Sequence, residues 1–166
     1  MNVQPIVDTH VHLWDPAHLD YDWLRDLPTL NRAFLPADFL EASRTADIEG
    51  IVFVECACDP SQSHQEVAMI TELAAHEPRL QGIVAQAPLE KGAAVRDDLA
   101  ALAANRLVKG VRRITQGEAD PDFCNRPDFV EGVRALAEFS LTCDLCCTHS
   151  QLEPIIRLVR ACPDVP

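Results

Sequence analysis

Short apolar runs recur along the chain at intervals of about thirty residues, the length of a βαβ unit, and this rhythm constrains the fold more than any other feature. Five can be read as strands, at residues 6–13, 50–57, 82–87, 108–114 and 141–147. Most are too continuously apolar for a strand with one wet face, so they suit a parallel sheet covered on both sides or the wall of a barrel. The segments between them have helical period. Residues 60–76 place Val67, Ile70, Leu73 and Ala74 on one face; Asp59 can cap this helix, Pro60 fits its first position, Gln62 stands where a capping box would reach back, and Pro78 forbids continuation. Similar punctuation predicts helices over 38–45, 94–104 and 127–139, the last with Phe129, Val133 and Leu136 on one stripe. A final helix over 152–162 is expected to turn Ile155, Ile156 and Val159 inward.

Alternation of this kind means an α/β fold. A doubly wound open sheet normally carries a glycine-rich phosphate turn after its first strand. Here the first strand runs straight into Asp8-Thr9-His10-Val11-His12, with no glycine. The reading is therefore an incomplete (β/α)8 TIM barrel with about five βα units. A full barrel takes about 250 residues, and residues 1–166 are read as a single domain that stops before strand 6. No repeat, low-complexity tract or linker divides it.

The formal charge of -12 disfavours nucleic acid and anionic membranes as partners. No stretch is long and apolar enough to span a bilayer, and residues 1–5 lack the layout of a secretion signal, so a cytoplasmic location is expected. Several of the seven cysteines lie inside apolar runs, as suits a reducing compartment. Cys143 and Cys146 have Cys-x-x-Cys spacing. A redox pair belongs at a helix start, however, and strand geometry would point these two apart, so they are read as core residues.

His10 and His12 are two apart on a strand and face the same way, as does Asp8, with Cα atoms about 6.5–7 Å apart. At the C-terminal end of a barrel strand that face looks into the mouth where active sites are built. Two imidazoles so placed can converge on one zinc ion or hydrogen-bond a substrate carbonyl without metal. Leaving both rings unpartnered at a buried strand end would cost several kcal/mol, so a functional role is the economical account.

The run from Val7 to Pro16, Val-Asp-Thr-His-Val-His-Leu-Trp-Asp-Pro, resembles the first-strand signature of the amidohydrolase superfamily, in particular the branch of sugar-lactone and 2-pyrone-4,6-dicarboxylate lactonases. Tyr21-Asp22-Trp23-Leu24, Phe53-Val54-Glu55, Gly82-Ile83-Val84, Lys109-Gly110-Val111-Arg112 and Gln151-Leu152 resemble that branch in order and spacing. The resemblance implies a hydrolase opening a lactone by attack of water on the carbonyl, acting on a small lactone or carboxylate substrate. His10 and His12 would polarise that carbonyl or hold a divalent metal such as zinc. Arg112, at the end of the fourth strand, would supply positive charge to the oxyanion or bind a substrate carboxylate; its bland alternative is a surface ion pair. Arg113 should face the other way and be structural.

Glu55 either orients an imidazole or is a hydrated strand-end acid. His149 either lines the mouth or starts a helix. Tyr21 and Trp23 either wall the pocket or pack over their own loop. His18, His64 and His76 receive no role. Relatives carry a further histidine after strand 6 and an aspartate base after strand 8, and neither falls within these residues. The polypeptide alone is therefore expected to be a poor catalyst or part of a longer product, and its open strand edges invite self-association. Two alternatives stand beside the lactonase: a zinc-dependent decarboxylase of the same superfamily, and a non-catalytic half-barrel.

Overall fold

The computed structural model describes residues 4–166, so residues 1–3 of the stretch read against a secretion signal lie outside the described part. The chain divides into two compact units, the first ending at Val84 and the second running Ala85–Pro166. Among the described residues no helix is long and apolar enough to cross a membrane.

In the first unit, β1 (Ile6–Val11), β2 (Ile48–Val54) and β3 (Leu80–Gln86, which runs across the unit boundary) pair in parallel, with Val11 opposite Phe53 and Val54 opposite Val84. Ile51, Phe53 and Ile83 are fully buried, as a covered sheet requires. Helix α1 (Pro36–Ala42) starts two residues before the expected 38–45 because Pro36 opens it and the Asp38 carboxylate accepts the Leu35 N–H at 3.0 Å. Helix α2 (Ser63–His76) follows a 3-10 turn at Pro60–Gln62, and the Asp59 carboxylate caps that turn by accepting the Ser61 N–H. Gln62 closes no capping box. Its amide instead clamps Asp20, accepting from the Asp20 N–H at 2.7 Å and donating to the Asp20 carboxylate at 3.2 Å. A loop 42 residues away in sequence offered it a charged partner.

In the second unit β4 (Val108–Ile114) and β5 (Thr142–Cys146) pair in parallel, Arg112 opposite Asp144. A side chain on Gly110 would put Cβ 2.0 Å from Thr142 Oγ1, so the pairing demands glycine there. The helix expected over 94–104 is shorter, α3 (Arg96–Ala103), because Gly92 in a 3-10 segment before it takes φ +58 and interrupts helical geometry. Helix α4 (Pro127–Ala135) buries Phe129 and Val133, and its last turn tightens into a 3-10 turn ending at Ser140 in the left-handed region.

The expected inward face of helix α5 (Leu152–Ala161) is wrong by one row. Pro154 and Leu158 are buried, Ile155 is half-buried, and Ile156 and Val159 are exposed. Apolar side chains cover more of this helix than the body of the unit can bury, so periodicity alone does not select the row. Beyond α5, the Cys143 N–H donates to the carbonyl of Pro166 at 2.9 Å.

Two predictions follow from this unit. A Cβ on Gly132 of α4 would stand 1.9 Å from the carbonyl oxygen of Leu89, a backbone atom that cannot swing aside. Gly132→Ala should therefore cost about 1–3 kcal/mol in a denaturant melt, whereas Gly117→Ala, with nothing within 4 Å, should leave the midpoint nearly unchanged. The second concerns Cys143, whose thiol burial pushes up to about 12, the opposite of the lowered value a redox pair needs. The unfolded thiol ionises from pH 9 upward while the folded one keeps its proton, so the unfolded state binds fewer protons and stability falls between pH 9 and 12. Urea midpoints at pH 8 and pH 10 should show a smaller alkaline loss for Cys143→Ala than for the parent chain.

Candidate active site

β1 delivers His10 and His12 to one face, as the i, i+2 spacing requires. Both side chains are exposed, their Nε2 atoms lie 3.2 Å apart, and the rings meet nearly edge to face. The Asp8 carboxylate accepts the backbone N–H of His10 at 3.1 Å. The Nδ1 of His12 lies 2.8 Å from the carbonyl oxygen of Val54, the last residue of β2. A carbonyl only accepts, so Nδ1 carries the hydrogen and the Nε2 of the neutral ring is a bare lone pair.

That geometry fits a cation. Two nitrogens bound at 2.0–2.1 Å to one tetrahedral zinc stand about 3.3 Å apart, close to the observed separation. The same spacing lets His10 Nε2–H donate to His12 Nε2 when no cation is between them. Among the described residues no three His, Cys, Asp or Glu side chains gather as a metal cluster.

Immediately after β2 the chain turns sharply, with Ala57 at φ +53. The turn wraps two fully buried carboxylates. Glu55 accepts the Ala57 N–H at 2.7 Å, and Glu66, reaching in from the first turn of α2, accepts the Cys56 N–H at 3.2 Å. Glu55 is therefore no hydrated strand-end acid. The Cys56 thiol donates to the carbonyl of Leu13 at 3.3 Å. Burial and the negative charges of Glu66 and Glu55 push the Cys58 thiol up to about 12.

The aromatic loop after β1 is fastened to the same turn, because the Trp23 indole N–H donates to the Cys56 carbonyl at 2.8 Å. Trp23 also meets Trp14 and Tyr21 edge to face. Tyr21 is buried, and burial with the Glu66 charge raises its phenol well above the ordinary range. A cavity of about 680 Å³ beside His12 is lined by Trp14, Arg32, Phe34 and α1 residues including Asp38 and Phe39.

In the second unit Arg112 is buried on β4, which removes the surface ion pair as its explanation. Arg113 points the other way, bonded to Glu90 and Glu118. His149 is exposed and opens a 3-10 turn, His149–Gln151. Buried Gln151 donates to the Thr115 carbonyl at 2.8 Å and accepts the Thr148 N–H at 2.8 Å, tying the ends of β4 and β5 together.

Sequence reasoning passed over Glu66 and Cys56, and noted Gln151 only within the Gln151-Leu152 resemblance, without a structural role. Glu66 shares a helical row with Ser63, Val67 and Ile70, all buried, which marks it as a carboxylate on an inward face. Gln151 stands three residues after Thr148, the spacing of a capping box, and the box is formed. Nothing in the sequence marks Cys56 beyond its place at a strand end.

With this geometry in hand, comparisons with known proteins are informative. The chain is 24% identical to an L-fucono-1,5-lactonase of Burkholderia ambifaria over 95% of its own residues and 53% of that protein. An amidohydrolase of Burkholderia multivorans solved with bound zinc matches at a TM-score of 0.79 and 23% identity, covering 95% of this chain and 54% of that one. A probable 2-pyrone-4,6-dicarboxylic acid hydrolase from Acinetobacter baumannii, solved with citric acid, matches at 0.69 and 17%, covering 96% and 55%. The chain thus spans about half the length of these relatives, and its fold is that of five βα units of a TIM barrel. The amidohydrolase family model matches residues 7–166, and the chain belongs to that family.

Proposed function

We propose that this chain carries the first-strand part of the active site of a lactone-opening hydrolase, in which water attacks the carbonyl of a sugar-acid or pyrone-carboxylate lactone. The observation that carries the reading is the His10–His12 pair, with Nε2 atoms 3.2 Å apart and His12 Nδ1 committed to the Val54 carbonyl. That commitment leaves a lone pair directed at whatever His10 also addresses.

With metal, His10 and His12 would hold a zinc ion, whose chemistry would be that of a Lewis acid able to acidify a water to near neutral pH. Without metal, the His10 Nε2–H would polarise the lactone carbonyl by hydrogen bonding, while the His12 Nε2 lone pair can only accept a hydrogen bond, as from the attacking water. In either case His10 and His12 bind and orient the reacting group. Arg112, buried in the second unit, has the planar fork that suits an oxyanion or a carboxylate. Glu55, fully buried, holds the turn after β2 and does not touch substrate, and Trp23, with Tyr21 packed against it, shapes the pocket wall from the loop after β1. The names of the Burkholderia ambifaria and Acinetobacter baumannii relatives support a lactone substrate class.

Competition for zinc against a chromogenic chelator separates the two modes. Under the metal mode His12→Gln lowers zinc affinity about a hundredfold, and the thermal midpoint of the variant stays within a few degrees of the parent because the side chain is exposed. Equal zinc binding by parent and variant would rule out the metal mode. L-Fucono-1,5-lactone and 2-pyrone-4,6-dicarboxylate, followed with a pH indicator, test the substrate class: ring opening releases acid without carbon dioxide, and activity unaffected by His12→Gln would remove the pair from the mechanism.

A further inference from the structure

The turn that follows β2 is held from three directions through one residue. The Cys56 N–H donates to Glu66 Oε1, its carbonyl accepts the Trp23 indole N–H, and its thiol donates to the Leu13 carbonyl, next in sequence to His12. Its sulfur also lies 3.6 Å from His12 Nδ1. Two residues before Cys56 is Val54, whose carbonyl takes the His12 Nδ1 hydrogen at 2.8 Å. The group that Glu66 holds and the group that holds His12 therefore sit on adjacent peptide units, joined at the Glu55 Cα.

A buried carboxylate is costly unless its oxygens meet donors. Glu66 is fully buried in the first turn of α2, where the helix dipole favours negative charge, and its oxygen reaches a backbone N–H across to the end of β2. An uncharged acceptor would serve if the contact only closed a cavity. At 3.2 Å the Glu66 bond is an ordinary hydrogen bond, but it ties the Cys56 N–H to the start of a packed helix and so limits rotation of that peptide. The left-handed Ala57 on the far side of Cys56 shows that this turn is held against the backbone's own preference.

We propose that Glu66 is a positioning residue for His12: by gripping the Cys56 N–H it keeps the Val54 carbonyl where it captures His12 Nδ1, and so leaves His12 Nε2 bare beside His10 Nε2. This rests on the role given to the histidine pair under the proposed function. The effect is carried through the backbone of residues 54–56.

Nitrogen–proton correlation spectra of the imidazoles in the full chain report which ring nitrogen bears hydrogen. In the parent chain His12 should show the hydrogen on Nδ1. Glu66→Ala should lower the ratio of Nδ1–H to Nε2–H tautomer about tenfold, the equivalent of one ordinary hydrogen bond, and lower zinc affinity with it. Glu66→Gln keeps an acceptor oxygen and should shift the ratio in the same direction by a smaller factor. Should the alanine variant fail to fold, Glu66→Asp, which withdraws the carboxylate by one methylene, should give the alanine result. A folded variant of any of the three with an unchanged His12 ratio overturns the proposal for Glu66 alone. Hydrogen on His12 Nε2 in the parent chain would instead overturn the reading of the histidine pair itself.

Discussion

The hydrogen bond from His12 Nδ1 to the Val54 carbonyl is the constraint around which the first unit is arranged. It is worth only about 1 kcal/mol as a contribution to stability, yet it decides which nitrogen of the ring is available for chemistry. It also joins the ends of two neighbouring strands, so its geometry depends on the register of β1 on β2, where Val11 stands opposite Phe53. A slip of one residue in that register would turn both histidines to the other face. The buried Val11 and Leu13, which alternate with the histidines, oppose such a slip, because it would carry them to the exposed face. The apolar interior of the sheet and the polar pair at its end are therefore two aspects of one alignment.

The second recurring theme is buried polarity with assigned partners. Glu55 and Glu66 lie wholly out of water in one turn, and Gln151 does similar service between the ends of β4 and β5. Each satisfies backbone N–H or C=O groups that strand ends leave open. The loops at these ends are thus braced by side chains instead of by further sheet, which is how a fold of this kind keeps a site rigid while leaving its loops free to vary in sequence.

Much of this was legible in the residues. Strands β2 and β3 announce themselves as apolar runs, as a parallel strand covered on both faces requires, and β4, despite Lys109, Arg112 and Arg113, coincides with the expected residues 108–114. The pairing of His10 with His12 follows from the two-residue period of a strand, and the opposite orientation of Arg113 from the same rule. What was not legible depends on contacts distant in sequence. Nothing local says that Gln62 will find Asp20, and the broad apolar surface of α5 does not say that Leu158 and not Val159 will be covered. The expected strand over 50–57 ends at Val54 because Ala57 adopts a left-handed backbone, which alanine does not advertise.

That alanine has a consequence of its own. Left-handed geometry costs a side-chain-bearing residue roughly 1–2 kcal/mol, and glycine would escape the charge. Glycine would also gain conformational freedom in the denatured chain, and in the native one it would give the bend an easy route between alternative shapes. With a methyl group at position 57, leaving the bent form does not open a family of neighbouring conformations; the backbone either stays in its narrow well or leaves it altogether. The segment thereby behaves as a latch and not as a hinge, and the carbonyl that sets His12 inherits that all-or-none character.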